Sequence, residues 1–544
     1  MRRRIAHRTS QPTSARRRGW PVAAALIALV VVASCGVVPS ASRVKEPSAP
    51  GAVSSATPSV VLPAPATPAG AVNGAGMPLA PTSYYDQKLT WTSCAQAGEA
   101  FECATLKVPL DYRSPARSIG LSVLKRPADS KAGGLGELVV NPGGPGGSGV
   151  DYAKYATNVF SAGITARYDV VGFDPRGVGR SAPIRCIDNR QTDTWLSMDD
   201  TPDTSAEVTK LVAFDKTFAQ ACKSNTGAVL GHVSTVEAAA DMDLLRAALG
   251  ETKLSFFGAS YGTLLGATYA QEFPDRVGRF VLDGAVSPTA TTDEASRAQA
   301  AGFETALTAF IADCVKGSCP LGRSAGAARA KVASFLDGLD RHPLPTGSSR
   351  VLTQQLGETG IVAALYSRSD WVVLRLALIQ AFDGNGGGLL TLADGYSRRV
   401  NGTYDSSLLQ ANVAINCLDS GPAGSSVADV EKQAAAYESV APIFGDSTRW
   451  SALACHDWPE TAEYRPPKLT AAGAAPIVVV GTTRDPATPY AWAKELASTL
   501  TSGVLLTRDG DGHTGYHQGN TCIDAAVDAY LLGGTVPKDG KRCT

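Results

Sequence analysis

Residues 254–262 read Leu-Ser-Phe-Phe-Gly-Ala-Ser-Tyr-Gly, an apolar run that stops at a Gly-x-Ser-x-Gly and passes directly into the helix-like stretch Thr263 to Phe273. A short apolar run bounded by glycine reads as a buried strand, which places Ser260 at the apex of a sharp strand-to-helix turn. The small residues Gly258, Ala259 and Gly262 fit that position, because larger neighbours would clash around a strained backbone. In a chain with 55 glycines the pentapeptide alone says little. The strand before it and the helix after it make Ser260 the candidate nucleophile.

A serine hydroxyl needs a histidine to take its proton and a carboxylate to orient that histidine. The chain has 6 histidines, and His7 lies in an export segment. On an α/β-hydrolase scaffold the order is serine, acid, histidine, which excludes His232 and leaves His342, His456, His513 and His517. The acid is expected just after a buried strand. Pro476 to Val480 followed by Gly481-Thr-Thr-Arg-Asp485-Pro486 has that form and makes Asp485 the expected acid. His513, in the polar loop Asp511-Gly-His-Thr-Gly515 after the apolar residues 503–506, is the expected base, with His517 in reserve. Asp283, which ends the apolar run Phe280-Val-Leu282, is the rival acid; its plainer reading is a helix or loop cap.

Backbone N–H groups must also face the developing oxyanion. Glu137 to Val140 reads as a strand and runs into Asn141-Pro-Gly-Gly-Pro-Gly-Gly-Ser-Gly149, a loop almost free of side chains and stiffened by two prolines. The expected donors are the N–H groups of Gly144 and Tyr261. A further strand, Tyr168 to Phe173, leads into Asp174-Pro-Arg-Gly-Val-Gly-Arg-Ser181, where Asp174 and Arg176 are expected to form a turn beneath the oxyanion loop with no catalytic part.

Taken together, the Asn-Pro-Gly-Gly-Pro-Gly-Gly-Ser-Gly loop, the Asp-Pro-Arg-Gly-Val-Gly-Arg-Ser turn, the Gly-Ala-Ser-Tyr-Gly elbow with its Tyr269-Ala-Gln-Glu-Phe-Pro-Asp-Arg-Val277, and the late Asp-Pro-Ala-Thr-Pro and Asp-Gly-His-Thr resemble the tripeptidyl aminopeptidase group of secreted actinobacterial α/β-hydrolases. These are relatives of prolyl aminopeptidase, and the group includes mycobacterial cell-envelope enzymes labelled carboxylesterase A. The resemblance runs from about Pro78 to the C-terminus. It implies serine peptidase chemistry at peptide N-termini, with Ser260, Asp485 and His513 on the triad positions, and esterase activity as a common companion. One departure is Asn141-Pro142, where prolyl aminopeptidases carry His-Gly, which bears on the second oxyanion donor.

The first 35 residues carry Arg2, Arg3, Arg4, Arg16, Arg17 and Arg18, an apolar stretch from Val22 to Val32, and Val32-Ala-Ser-Cys35. The stretch falls short of the ~20 residues a bilayer needs and reads as an export signal. Small residues before Cys35 resemble a lipoprotein cleavage site, so residues 1–35 are expected as a lipoprotein signal, with Cys35 lipidated and anchored to the membrane. Residues 36–82, rich in Ala, Pro, Ser and Val with hardly any charge, are expected as a disordered tether reaching on the order of 150 Å when extended.

The remaining ten of the 11 cysteines fit five disulfides in an exported chain. Nearest-neighbour pairing would join Cys94 to Cys103, Cys186 to Cys222, Cys314 to Cys319, Cys417 to Cys455 and Cys522 to Cys543. No zinc-type spacing or His-Glu-x-x-His occurs, so no metal and no cofactor are expected. With 50 Lys and Arg against 50 Asp and Glu and no basic stripe, nucleic acid is not an expected partner.

Alternation of strand and helix argues for an open α/β sheet in two parts, residues 83–285 and 470–544. Between them, residues 286–469 show helical segments (294–315, 325–339, 369–382, 429–440) and few strand signals, and are expected as an inserted helical cap. Ser234 with Glu237 forms a capping-box pattern ahead of the nucleophile strand. An exopeptidase also needs a carboxylate for the substrate's free amine. Asp419, in Ala414-Ile-Asn-Cys-Leu-Asp419, resembles the acidic position of a family stretch and is the expected amine-binding residue, with Glu460 as an alternative. The expected protein is an exported, lipid-anchored α/β-hydrolase acting on peptide or protein substrates near a free N-terminus. A carboxylesterase for lipid or small acyl esters is the second expectation, and a non-catalytic peptide- or partner-binding surface lipoprotein the third.

Overall fold

The computed structural model describes residues 73–544 except 96–99, 131–133, 318, 405–406, 422–424 and 466–467. The expected signal, Cys35 and the tether as far as residue 72 lie outside the described residues.

The core is a ten-stranded sheet. Its strands are β1 (Thr92–Ser93), β2 (Glu102–Pro109), β3 (Ser118–Arg126), β4 (Glu137–Asn141), β5 (Asp169–Phe173), β6 (Leu254–Ala259), β7 (Val277–Asp283), β8 (Ile477–Arg484), β9 (Gly503–Asp511) and β10 (Lys541–Cys543). They lie in the order β1-β2-β3-β5-β4-β6-β7-β8-β9-β10. The first three run antiparallel, and from β5 to β10 every pairing is parallel.

Parallel strands covered by helices on both faces read as unbroken apolar runs. Leu138, Val139 and Val140 of β4 and Ile477 to Val480 of β8 are fully buried for that reason. Successive residues of a strand point to opposite faces, and β6 shows it. Phe256 packs with Phe280 in the core on one side, while its neighbour Phe257 meets Phe160 and Tyr516 on the other. In the register, Asn141 stands beside Gly258, Ala259 beside Asp283, and Asp283 beside Val480. The C-terminal ends of four strands therefore meet at one edge, where ligands bind in open α/β sheets.

The helices used below are α1 (Gly149–Lys154), α2 (Ser205–Thr226), α3 (Thr235–Leu249), α4 (Tyr261–Glu272), α5 (Thr292–Cys314), α6 (Ala325–Arg341), α7 (Gln354–Leu365), α8 (Trp371–Phe382), α9 (Gly387–Ser397) and α10 (Leu408–Ser420). Helix α3 is Ala- and Leu-rich and almost wholly buried; Ser234 caps its start and Gly250, at φ 86°, ends it. Glu237 takes a hydrogen bond from the Ser234 hydroxyl at 2.7 Å, so the pair is a side-chain variant of the capping box. Helices α5 to α10 lie between β7 and β8, and residues of α5 to α9, among them Leu307, Phe310, Val332, Ile361, Leu374 and Leu389, share a hydrophobic cluster of their own.

Two readings change. The tether does not extend to residue 82, because Met77 is fully buried in the core and the N–H of Ala75 donates to Glu272 Oε2 at 2.6 Å. Met77 and Ala80 in the core and a partner 197 residues from Ala75 hold this stretch, so no periodicity announces it. Arg176 does not lie beneath the glycine loop. It is buried against α3, with Nε and Nη2 on the Asp241 carboxylate at 2.7 and 2.8 Å and its other N–H groups on the carbonyls of Pro109, Leu110 and His232. All five expected disulfides are present.

Candidate active site

Ser260 sits between β6 and α4 with φ 56° and ψ −127°, a backbone region that costs a non-glycine residue about 1–3 kcal/mol and persists only where its surroundings enforce it. Here its N–H donates to Asp283 O at 2.8 Å, while its carbonyl receives the N–H and hydroxyl of Thr263 at 2.8 and 2.6 Å. Side chains at Gly258 or Gly262 would strike backbone oxygens, 2.3 Å from Gly262 O and 2.7 Å from Asn141 O respectively.

Asp485 follows β8, and its side chain is fully buried. Its carboxylate receives the N–H groups of Ala487, Thr488 and Thr514 at 3.0, 2.9 and 3.0 Å, and His513 Nδ1 lies 2.9 and 3.0 Å from its two oxygens. A carboxylate only accepts, so Nδ1 carries the proton and Nε2 presents a lone pair. Burial alone would depress the imidazole's pKa, but the Asp485 carboxylate outweighs it and holds His513 above its ordinary value. Ser260 and His513 share a floor. The peptide oxygen that receives Ser260 N–H belongs to Asp283, and a methyl group on the next residue, Gly284, would lie 3.1 Å from His513 Cε1.

Asp283 has a different task from the one a rival acid would have. Its two oxygens receive the N–H groups of Gly515 and Tyr516, each at 2.8 Å, which fastens the histidine loop to β7. Burial pushes its carboxyl up to about 7 against those two hydrogen bonds. His517 lies apart, with Nδ1 3.2 Å from Asn158 O.

The glycine loop presses on the elbow. Gly143 has φ 94°, and a methyl group there would lie 2.5 Å from Ala259 O and 2.8 Å from both Ser260 Cβ and Tyr261 N. Gly143 N–H is engaged by the Asn141 side chain at 2.9 Å, which leaves Gly144 as the next donor in the loop. Tyr261 opens α4, where the first N–H groups have no acceptor within the helix and carry the positive end of its dipole. Asp174 supports this loop as expected: Oδ1 receives the hydroxyl of Ser148 at 2.5 Å and the N–H of Val150 at 3.2 Å.

Asp419, near the end of α10, receives the N–H and hydroxyl of Thr235 at 3.0 and 2.5 Å, and that hydroxyl meets Tyr261 OH at 2.6 Å. It thus caps the first turn of α3 and sits one residue away from the Tyr261 ring. Burial pushes its carboxyl up to about 6, against the Thr235 hydrogen bonds. Glu460 lies 3.4 Å from Lys223.

Sequence reasoning missed what the inserted helices contribute. Gln299 of α5 donates to Ala487 O at 2.9 Å, and a methyl on Gly302 would lie 2.4 Å from Pro486 O, so α5 backs directly onto the acid loop. Asn412 of α10 donates to Pro145 O at 3.1 Å in the glycine loop. Tyr366, the cap residue of α7, receives His513 N–H at 2.7 Å. These residues belong to no motif. Among the described residues, no group of three His, Cys, Asp or Glu is placed to hold a metal ion.

Comparison with known proteins gives the family. The chain is 39% identical over 478 residues to serine protease Hip1 of Mycobacterium tuberculosis, covering 84% of this chain and 91% of that one. The chain belongs to the TAP-like family of α/β-hydrolases. The profile of that family, described as TAP-like protein, matches residues 441–543, which hold β8, the acid loop and the histidine loop. Other members are carboxylesterase B of M. tuberculosis, 37% identical over 84% of this chain and 89% of that one, and a tripeptidyl aminopeptidase of Streptomyces lividans, 30% identical over 84% and 86%. The family is one of serine hydrolases, and this member is an enzyme of that class.

Proposed function

We propose that this serine hydrolase acts through an acyl-enzyme on Ser260 and cleaves peptides near a free N-terminus. The observation that carries the reading is the Asp485–His513 pair resting on the strand end that also receives Ser260 N–H. His513 Nε2 takes the Ser260 proton as Oγ attacks the carbonyl, and the negative charge that develops on the carbonyl oxygen faces the N–H groups of Gly144 and Tyr261. The imidazolium, paired with Asp485, returns that proton to the leaving amine. Water then enters, His513 takes its proton, and the ester to Ser260 is hydrolysed.

Peptide substrates are supported by the similarity to a protease and an aminopeptidase, and Asp419 is the carboxylate proposed to meet the α-amino group. The similarity to carboxylesterase B favours a second reading, hydrolysis of acyl esters by the same machinery. Residues 286–469 act as a cap over the strand ends and limit what enters. Export is supported by the five disulfides, which persist in oxidising compartments. Lipidation at Cys35 completes the proposal and rests on the sequence of the first 35 residues.

The test compares the purified protein with its Ser260→Ala variant on three chromogenic compounds: a tripeptide amide with a free amine, its N-acetylated form, and a short acyl ester. Cleavage of the free-amine compound alone, lost in the variant, is the expected outcome. Ester turnover indifferent to the amine would establish the esterase reading, and turnover that survives Ser260→Ala would remove the triad.

A further inference from the structure

The last carbonyls of a helix have no donor within it and must be satisfied elsewhere. Helix α7 ends at Leu365, and the carbonyl of its cap residue, Tyr366, receives the N–H of His513 at 2.7 Å. The two backbones come so close because residue 512 is a glycine. Gly512 has φ 102°, and a methyl group on it would lie 3.0 Å from Tyr366 O and 3.6 Å from Ser367 Cα. The side chains meet as well. The Tyr366 ring stands edge-on to the His513 imidazole, with centroids 5.4 Å apart and planes at 87°. Phe303 of α5 and Tyr396 of α9 flank the tyrosine at 5.5 and 5.8 Å, so its own position is set by two further helices. Arg368, two residues on, reaches Asp511 at 3.6 Å.

We propose that Tyr366 is a positioning residue for His513, its carbonyl fixing the histidine loop and its ring wedging the imidazole against Asp485. On this account the inserted helices complete the catalytic geometry and are more than a gate over it. The proposal deepens the triad reading and rests on it. Asp485 holds the imidazole and Asp283 the loop that follows it from the sheet side, and Tyr366 meets the imidazole from the insertion. Without the ring the imidazole can rotate about its side-chain bonds, and Nε2 then spends only part of its time in reach of Ser260. Misplacement of this kind costs rate, while substrate binding is left nearly intact.

The experiment compares wild type, Tyr366→Phe, Tyr366→Ala and Gly512→Ala by steady-state kinetics and by the proton NMR signal of the hydrogen shared between His513 Nδ1 and Asp485. Tyr366→Ala is expected to lower kcat about 100-fold with KM nearly unchanged and to broaden or erase the shared-proton signal. Tyr366→Phe, which keeps the ring, is expected to match wild type in both. Gly512→Ala, which keeps the tyrosine but forces the two backbones apart, behaves like Tyr366→Ala. The inference is overturned if Tyr366→Ala keeps the signal and kcat of wild type, or if the Phe variant is as impaired as the Ala variant. The NMR signal reports the histidine whether or not Ser260 turns over a substrate, so loss of this inference is distinct from loss of the proposed reaction.

Discussion

At the residue scale the proposed reaction depends on one proton being on the right nitrogen. The Asp485 side chain has no exposed surface and accepts from three backbone N–H groups as well as His513, so it stays where it is whatever the imidazole does. Asp485→Asn keeps the shape but offers Nδ1 a donor in place of an acceptor and favours the wrong tautomer; kcat is expected to fall by roughly 10⁴-fold with KM little changed. The same carboxylate raises the His513 pKa. A protonated histidine accepts no proton, so activity falls on the acid side, with a midpoint above the ordinary imidazole value of about 6.5. Residual activity of Asp485→Asn shows that midpoint moved downward, as a pH–rate profile of each protein reads. The Asp485–His513 pair and the turn at Ser260 were legible in sequence because each of these residues sits in a short polar or glycine-rich break after an apolar run. Asp283 was only half legible. Its position at a strand end was clear, but its partners, the N–H groups of Gly515 and Tyr516, are more than two hundred residues away.

At the element scale the glycine loop, β2 and α3 are fixed by polar ties that the apolar pattern does not encode. Arg176 is fully buried with Asp241, and Tyr112 OH adds a third partner at 2.8 Å. Removing one member of such a pair strands the other charge in the core, so Arg176→Ala is expected to destabilise the protein by about 3–5 kcal/mol, read as a lower urea midpoint. Replacing Ser234 by alanine removes an N-cap and is expected to cost about 1 kcal/mol. The six parallel strands and four helices of the insertion that the sequence announces are present. The antiparallel strands β2 and β3 carry an alternating signal, since Leu106 and Val108, and Leu121 and Val123, are fully buried between more exposed positions. Helices α7 and α9 show glycine-interrupted patterns and emerge only through packing against each other and α8.

At the scale of the whole molecule, burial of acids sets the dependence of stability on pH. Asp283, Glu272 and Asp215 are each pushed up to about 7, in every case chiefly by burial, against about 4 in an unfolded chain. A group whose folded pKa lies above its unfolded value stabilises fully below the unfolded pKa, and that contribution is lost as pH rises through the folded one. His513, also raised, acts in the same sense. Asp151 and Asp193, whose hydrogen-bonded and cationic partners outweigh burial and hold them low, act in the opposite sense only in acid below about pH 4. The thermal midpoint is therefore expected to be higher near pH 5 than near pH 8, as calorimetry at the two values reads. The insertion touches the glycine loop through Asn412, the acid loop through Gln299 and the histidine loop through Tyr366, so it packs on all three loops at the edge of the sheet. The central claim remains that Ser260 is the nucleophile activated by His513. Its most direct measurement is mass spectrometry of the protein and its His513→Ala variant after brief exposure to a fluorophosphonate. The account predicts a single adduct on Ser260 in the first and almost none in the second, whereas an adduct on another residue, or equal labelling of both proteins, would contradict it.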